Sequence, residues 1–171
     1  MAAPRGSRLS TTAALGGARV TLPSDCEIEI VRRFDAPRAA VFDAWTTAEQ
    51  IAAWWDPRRK PLAVCDVDLR PGGAFRFVPR GPAGAVHPFT GQYREISPPA
   101  RLVFATPGPL PGGETVGTLV FDERDGQTIL TITMTCPTRA DRDALLRARV
   151  DAGTVQTLDN LHEHLARRTS R

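Results

Sequence analysis

The sequence predicts an α+β fold: a curved antiparallel sheet of about six to seven strands around a long C-terminal helix, with two short helices after the first strand. Three observations predict it. Short runs of alternating apolar and polar residues are separated by turn-forming Gly, Pro, Asp and Ser. The period changes from strand-like to helical directly after the first of these runs. The final stretch of the chain carries one broad apolar stripe at helical spacing.

Residues 27–34, "EIEIVRRF", alternate cleanly. Ile28, Ile30, Arg32 and Phe34 share one face and Glu27, Glu29 and Arg33 the other, as in a half-buried strand. In the following "DAPRAAVFDAWTTAEQIAAWW", Asp35 is a candidate cap and Pro37 suits a first helical turn. Val41, Ala44 and Trp45 then lie on one helical stripe. Thr47 with Gln50 reads as a capping box that opens a second short helix carrying Ile51 and one of Trp54 and Trp55. Pro57 ends it, because its ring cannot fit a helix interior.

Six strand-like runs follow, at 62–69, 74–79, 86–96, 101–105, 115–122 and 127–136. Pro71-Gly72-Gly73, Ser97-Pro98-Pro99 and Asp125-Gly126 punctuate them, the last being a tight-hairpin signal. In the final run Leu130, Ile132 and Met134 face one way and Thr131, Thr133 and Thr135 the other, as expected of a sheet covered on one side. Residues 137–168 then read as one long helix. Thr138 is its N-cap, and Asp141 at the third helical position favours the positive helix start. The stripe is Leu145, Leu146, Val150, Gly153, Thr154, Leu158, Leu161 and Leu165. Gly153 costs a helix about 1 kcal/mol relative to alanine, so either a strand approaches it or a ligand needs its space. A sheet this long must curl, and the last helix is the element left to fill it. The result is a helix-grip arrangement with a cavity, since one helix cannot fill so wide a trough.

A chain of 171 residues suits one domain, and its 42% hydrophobic and 24% charged residues are those of an ordinary globule. No segment approaches the roughly 20 apolar residues that span a bilayer, so membrane insertion is not expected. The start, "MAAPRGSRLSTTAALGGAR", lacks the apolar core of a secretory signal and reads as a tail. The net charge of +3 comes almost entirely from dispersed arginine, Lys60 being the sole lysine. The basic runs Arg58-Arg59-Lys60 and Arg167-Arg168 are short and lack interleaved aromatics, which argues against nucleic acid as a partner. Cys26, Cys65 and Cys136 are odd in number and widely spaced, as expected of buried strand thiols in a reducing cytoplasm. His87, His162 and His164 have no metal-ligand spacing, and no phosphate loop, dinucleotide fingerprint or nucleophile elbow is present. No metal and no cofactor are expected.

"VTLPSDCEIEIVRRFDAPRAAVFDAWTTAEQIAAWWDP", "DVDLRPGGAFRF", "FTGQYREISPPARLVF" and "LVFDERDGQTILTIT" together resemble the bacterial activator of heat-shock-protein-90 ATPase homologue family. That family is part of the START-like SRPBCC superfamily, which also holds the aromatase/cyclases of polyketide synthesis. The likeness covers residues 18–166 and implies a single START-like domain at 18–168 behind a flexible tail at 1–17. It is carried by Phe-Asp-Ala-Pro-Arg, the tandem tryptophans before Pro57, Asp-x-Arg-Pro-Gly-Gly and Gly-x-Tyr-Arg-Glu-Ile. Two departures fall where the family lines or closes its cavity. Gly153 is followed by Thr154 where many relatives have Gly-Trp, and Asp56 stands where many have glycine.

Chemistry-bearing residues are few. Asp66 and Asp68 would form an acid/base pair only in a shared cleft, and beside Arg70 they are expected on the solvent face. His87 and Tyr93 share one side of their strand with Phe89 between them and are candidate polar cavity groups. Alternatively His87 is exposed in a Pro/Gly-rich hairpin and Tyr93 only anchors its hydroxyl at the core edge. No catalytic set emerges. The leading expectation is a cytoplasmic domain that binds a small hydrophobic or aromatic molecule. Its cavity candidates are Trp54, Trp55, Phe75, Phe77, Phe89, Tyr93, Phe104, Met134, Gly153 and Thr154. The alternative is a polyketide cyclase or aromatase-type enzyme, which needs a buried polar cluster in the same cavity. A lower alternative is a chaperone-interacting stress-response module. An exposed sheet edge would offer a route to a homodimer.

Overall fold

The computed structural model describes residues 13–15, 17–82 and 86–169. In chain order these form β1 (Ala13–Leu15), β2 (Ala18–Thr21), β3 (Glu27–Phe34), α1 (Arg38–Thr46) and α2 (Ala48–Trp54). There follow β4 (Val64–Val67), β5 (Ala74–Val78), β6 (Phe89–Ser97), β7 (Arg101–Pro107), β8 (Glu114–Arg124) and β9 (Gln127–Thr135). Two helices, α3 (Arg139–Arg147) and α4 (Val150–Thr169), end the described chain. No helix among the described residues is long and apolar enough to cross a membrane.

Nine strands make one antiparallel sheet in the order β1-β2-β3-β9-β8-β7-β6-β5-β4. The seven expected strands are present. The additional hairpin β1–β2 extends the edge beside β3 and begins at Ala13, inside the stretch expected as tail. Residues 1–12 and 16 of that stretch lie outside the described residues. Alternation sets the buried face, and register aligns it across strands. Ile30 faces Ile132, Ile132 faces Leu119, Leu119 faces Leu102 and Leu102 faces Ile96. Such directly opposed apolar pairs are the unit that stabilises a sheet. Asp125 (φ 52°) and Gly126 (φ 74°) both take the left-handed conformation that a tight hairpin between β8 and β9 requires. A bulge between Tyr93 and Glu95 in β6 bends the sheet.

The helices cover the apolar face. Val155, Leu158, Leu161 and Leu165 of α4 and Val41, Phe42 and Ala44 of α1 join Ile28, Phe34, Phe121 and Leu130 in one core. Phe42 meets Phe121 edge to face, with ring centroids 5.2 Å apart. Arg32, on the apolar face of β3, is satisfied by an ion pair at 2.6 Å to Asp159 on α4.

Several local expectations are corrected. Thr47 and Gln50 do not form a capping box. Both side chains donate instead to the Asp43 carboxylate of α1, at 3.2 and 2.9 Å. Asp35 does not cap α1, whose N-cap is Pro37, but accepts from Gln127. Thr138 does cap α3, accepting the Asp141 N–H at 3.2 Å. The C-terminal segment is not one helix. The Arg149 N–H closes on the Leu146 carbonyl at 3.0 Å, and Arg149 takes φ 59° before α4 begins. Of the cysteines, only Cys136 is buried, while Cys26 and Cys65 are half-buried. Asp66, Asp68 and Arg70 are exposed, and Arg70 pairs with Asp68 at 2.8 Å.

Candidate functional site

α2 ends on the two tryptophans, and one residue along a helix turns the side-chain direction by about 100°. Trp54 points into the core, 1% exposed, and its indole N–H donates to the Ala44 carbonyl of α1 at 3.1 Å. Its ring lies 4.9 Å from that of Trp45. Trp55 faces the sheet instead, with its ring centroid 4.9 Å from Phe77 and 5.0 Å from Phe89.

α4 fixes this direction from behind. The Asn160 amide donates to the Trp54 carbonyl at 3.3 Å and the Asp56 carbonyl at 2.9 Å, and the Thr157 hydroxyl is shared between the Gly153 carbonyl at 2.9 Å and the Trp55 carbonyl at 3.3 Å. Asp56 is 2% exposed and accepts from the Arg58 backbone at 2.9 Å and the Arg58 guanidinium at 2.8 Å. Burial alone would raise its carboxyl, but the hydrogen bonds from Arg58 outweigh that and hold it below the usual range. Outside this turn, Arg59 pairs with Glu163 through two bonds of 2.9 and 2.7 Å.

Between these helices and the sheet is a cavity of about 300 Å³. α1 contributes Trp45, and the C-cap of α2 contributes Trp55. The sheet contributes Phe89 and Thr90 of β6, Phe104 and Thr106 of β7, Thr115, Gly117 and Leu119 of β8, and Ile132 and Met134 of β9. Leu145, Val150 and Thr154 close it from α3 and α4, with Pro88 and Pro107 at strand ends. Gly117 makes room by having no side chain. The Phe104 ring lies over it, and a Cβ there would come 2.7 Å from the ring. The Thr106 and Thr154 hydroxyls are occupied by the backbone carbonyls of Thr115 and Val150. No described residue that borders the cavity is ionisable. Among the described residues no cluster of His, Cys, Asp or Glu could hold a metal ion.

The expected lining residues divide into three groups. Trp55, Phe89, Phe104, Met134 and Thr154 border the cavity. Phe75, Phe77 and Tyr93 instead pack against one another and Phe89, leaving a void of only about 10 Å³ beside it. The aromatic rings of β5 and β6 thus fill the trough at that end. Tyr93 is 2% exposed, and burial pushes its phenol up to about 12. Trp54, Gly153 and His87 do not reach the cavity. Trp54 is enclosed by the helices, Gly153 has nothing within 4 Å of a Cβ position, and His87 is exposed beyond the start of β6. The buried polar cluster with His87, Tyr93 or an arginine that proton-transfer chemistry would use is absent from the described wall, Tyr93 being packed among the rings beside it. Sequence reasoning missed Trp45 of α1, Pro88 and Thr90 at the start of β6, Thr106 and Pro107 of β7, Thr115, Gly117 and Leu119 of β8, Ile132 of β9, and Leu145 and Val150 of the last helices. The period-2 alternation of β8 already places Thr115, Gly117 and Leu119 on one face, so their signal was available.

Residues 35–166 match the family model described as activator of Hsp90 ATPase homolog 1-like protein. A crystal structure of a protein from Rhodobacter sphaeroides is similar at 27% identity and a TM-score of 0.78, covering 87% of this chain and 97% of that one. One from Nitrosomonas europaea is 22% identical with a TM-score of 0.77, covering 88% of this chain and 100% of that one. CalU16 from Micromonospora echinospora is 22% identical with a TM-score of 0.58, covering 94% and 85% respectively. The last two likenesses bear on the fold. Comparison with curated proteins finds no match.

Proposed function

The chain belongs to the activator of Hsp90 ATPase homolog 1-like family, and from that premise we propose that it is a cytoplasmic binding domain for a single small hydrophobic or aromatic molecule. The observation that carries this reading is the cavity of about 300 Å³, whose size is at the lower end of the range of small-molecule sites. Its wall is apolar and aromatic, and burying such surface against a ligand is favourable at roughly 25 cal/mol per Å² before the costs of association are subtracted. Bordering groups that could exchange protons would favour a cyclase-type enzyme. Threonines, prolines and apolar or aromatic residues stand there instead.

The test is native mass spectrometry of gently purified protein, with Thr154→Phe as the comparison. Thr154 borders the cavity from α4 and is half-buried, so a phenyl ring can replace its side chain with cavity space to enter. The wild type is expected to carry a co-purified small molecule that Thr154→Phe lacks, with both giving the same circular dichroism. A molecule retained by Thr154→Phe would place binding elsewhere, and a wild type that is empty and binds no aromatic probe would end the proposal.

A further inference from the structure

We propose that Cys26 and Cys136 form a redox-responsive thiol pair, which a peroxide closes to a reversible disulfide between the start of β3 and the end of β9. The inference stands apart from the binding reading above.

The two residues meet across the sheet. Glu27 of β3 faces Thr135 of β9, so the next rung outward sets Cys26 opposite Cys136. The Cys136 N–H donates to the Cys26 carbonyl at 2.8 Å, which fixes this rung. Opposed residues of an antiparallel pair send their side chains to one face, and across a hydrogen-bonded rung their Cα atoms lie about 5.5 Å apart. A disulfide spans Cα separations of about 4.4–6.8 Å, so the backbone is already within its reach. Both thiols are free. The remaining cysteine, Cys65, is on β4 at the far edge of the sheet.

Closing the bond brings the Cβ atoms to about 3.5–4.5 Å, nearer than the roughly 4.5–5.5 Å of ordinary opposed residues. This rung has the freedom to do so. The Cys26 N–H donates to the Ser24 hydroxyl at 3.3 Å instead of returning a bond to Cys136, so a single ladder bond holds the pair. Buried Arg142 of α3 donates to the Ser24 carbonyl at 3.0 Å and keeps the turn before Cys26 against the helix that follows Cys136. The two thiols are held near each other without being locked apart.

Exposure divides their roles. Cys26 is half-buried, whereas Cys136 is 4% exposed and burial pushes its thiol up. Access and thiolate character decide which thiol meets an oxidant first, and here that is Cys26. Its sulfur takes one oxygen of hydrogen peroxide as the O–O bond breaks, and the other oxygen leaves as water. The Cys136 sulfur then bonds to the Cys26 sulfur and expels the first oxygen as a second water. Two thiols are oxidised, one peroxide is reduced, and both thiol protons leave in the two waters. A bond that draws its ladder rung inward is strained and hence easily reduced, which makes the modification reversible.

The experiment treats the folded full chain with equimolar hydrogen peroxide, alkylates it with iodoacetamide and maps its peptides without reduction. The expected product is one linked pair of peptides holding Cys26 and Cys136, with Cys65 alkylated. Dithiothreitol should return all three thiols. The urea-unfolded chain should link Cys65 as well, because the fold and not the sequence selects the pair. Cys65→Ser should oxidise as the wild type does, whereas Cys136→Ser should stop at a sulfenic acid on Cys26 that dimedone traps. If Cys136→Ser does not fold, the wild-type map decides alone. Three alkylated thiols after peroxide, a linkage through Cys65, or a linkage between two copies of the chain would overturn the proposal.

Discussion

Trp54 and Trp55 differ by one helical step and consequently carry different loads. Trp54 fills a closed space between α1 and α2 and satisfies its N–H there, whereas Trp55 has packed rings on one side and the cavity on the other. Trp54→Ala is expected to cost about 3–5 kcal/mol, the range for an enclosed large side chain. Trp55→Ala should cost about 1–3 kcal/mol, because part of its surface already faces open space, but it should weaken binding of a small aromatic probe severalfold. Urea unfolding with a parallel titration checks both, and a Trp55→Ala variant less stable than Trp54→Ala would contradict the assignment. From the sequence, one ring is expected to anchor the helix and the other to sit at the cavity mouth. The sequence does not show which, because α2 is oriented by Asn160 and Thr157, more than a hundred residues downstream.

Helical and strand elements were legible to different degrees for physical reasons. The strands of the sheet follow from period-2 alternation, and the Asp125-Gly126 turn follows from its backbone demand. The break between α3 and α4 does not, because it needs Arg149 in a left-handed conformation that arginine rarely adopts. The hairpin β1–β2 was likewise invisible, its strands being only three and four residues long. Glycines within elements sharpen the contrast. Gly153 of α4 meets nothing within 4 Å of a Cβ position and does not border the cavity, so no close approach requires it. Gly153→Ala should therefore stabilise the protein by up to about 1 kcal/mol. Gly117 of β8 lies under the Phe104 ring, and Gly117→Ala should destabilise by about 1–3 kcal/mol by forcing that ring into the cavity. Thermal unfolding of the two variants should shift in opposite directions.

For the molecule as a whole, alkaline pH is expected to weaken the fold. Unfolded, the Cys65 thiol and the Tyr93 phenol ionise near 9.0 and 10.0; folded, burial keeps them protonated up to about 11 and about 12. Through that window the folded state holds protons that the unfolded state has released, so what these two groups contribute is full below pH 9 and is lost as pH rises towards 12. The urea midpoint should drop across this range, and Tyr93→Phe should flatten its upper part; a level profile in the wild type would refute the linkage. The same wholeness governs how the chain is made. β3 lies between β2 and β9, and β9 is the last strand to be synthesised. While a ribosome adds residues 35–126, the nascent β3 has its hairpin neighbour on one side and an open row of backbone donors and acceptors on the other. The sheet is thus sealed late, and the interval of translation before β9 emerges is when this chain most needs protection from pairing with another.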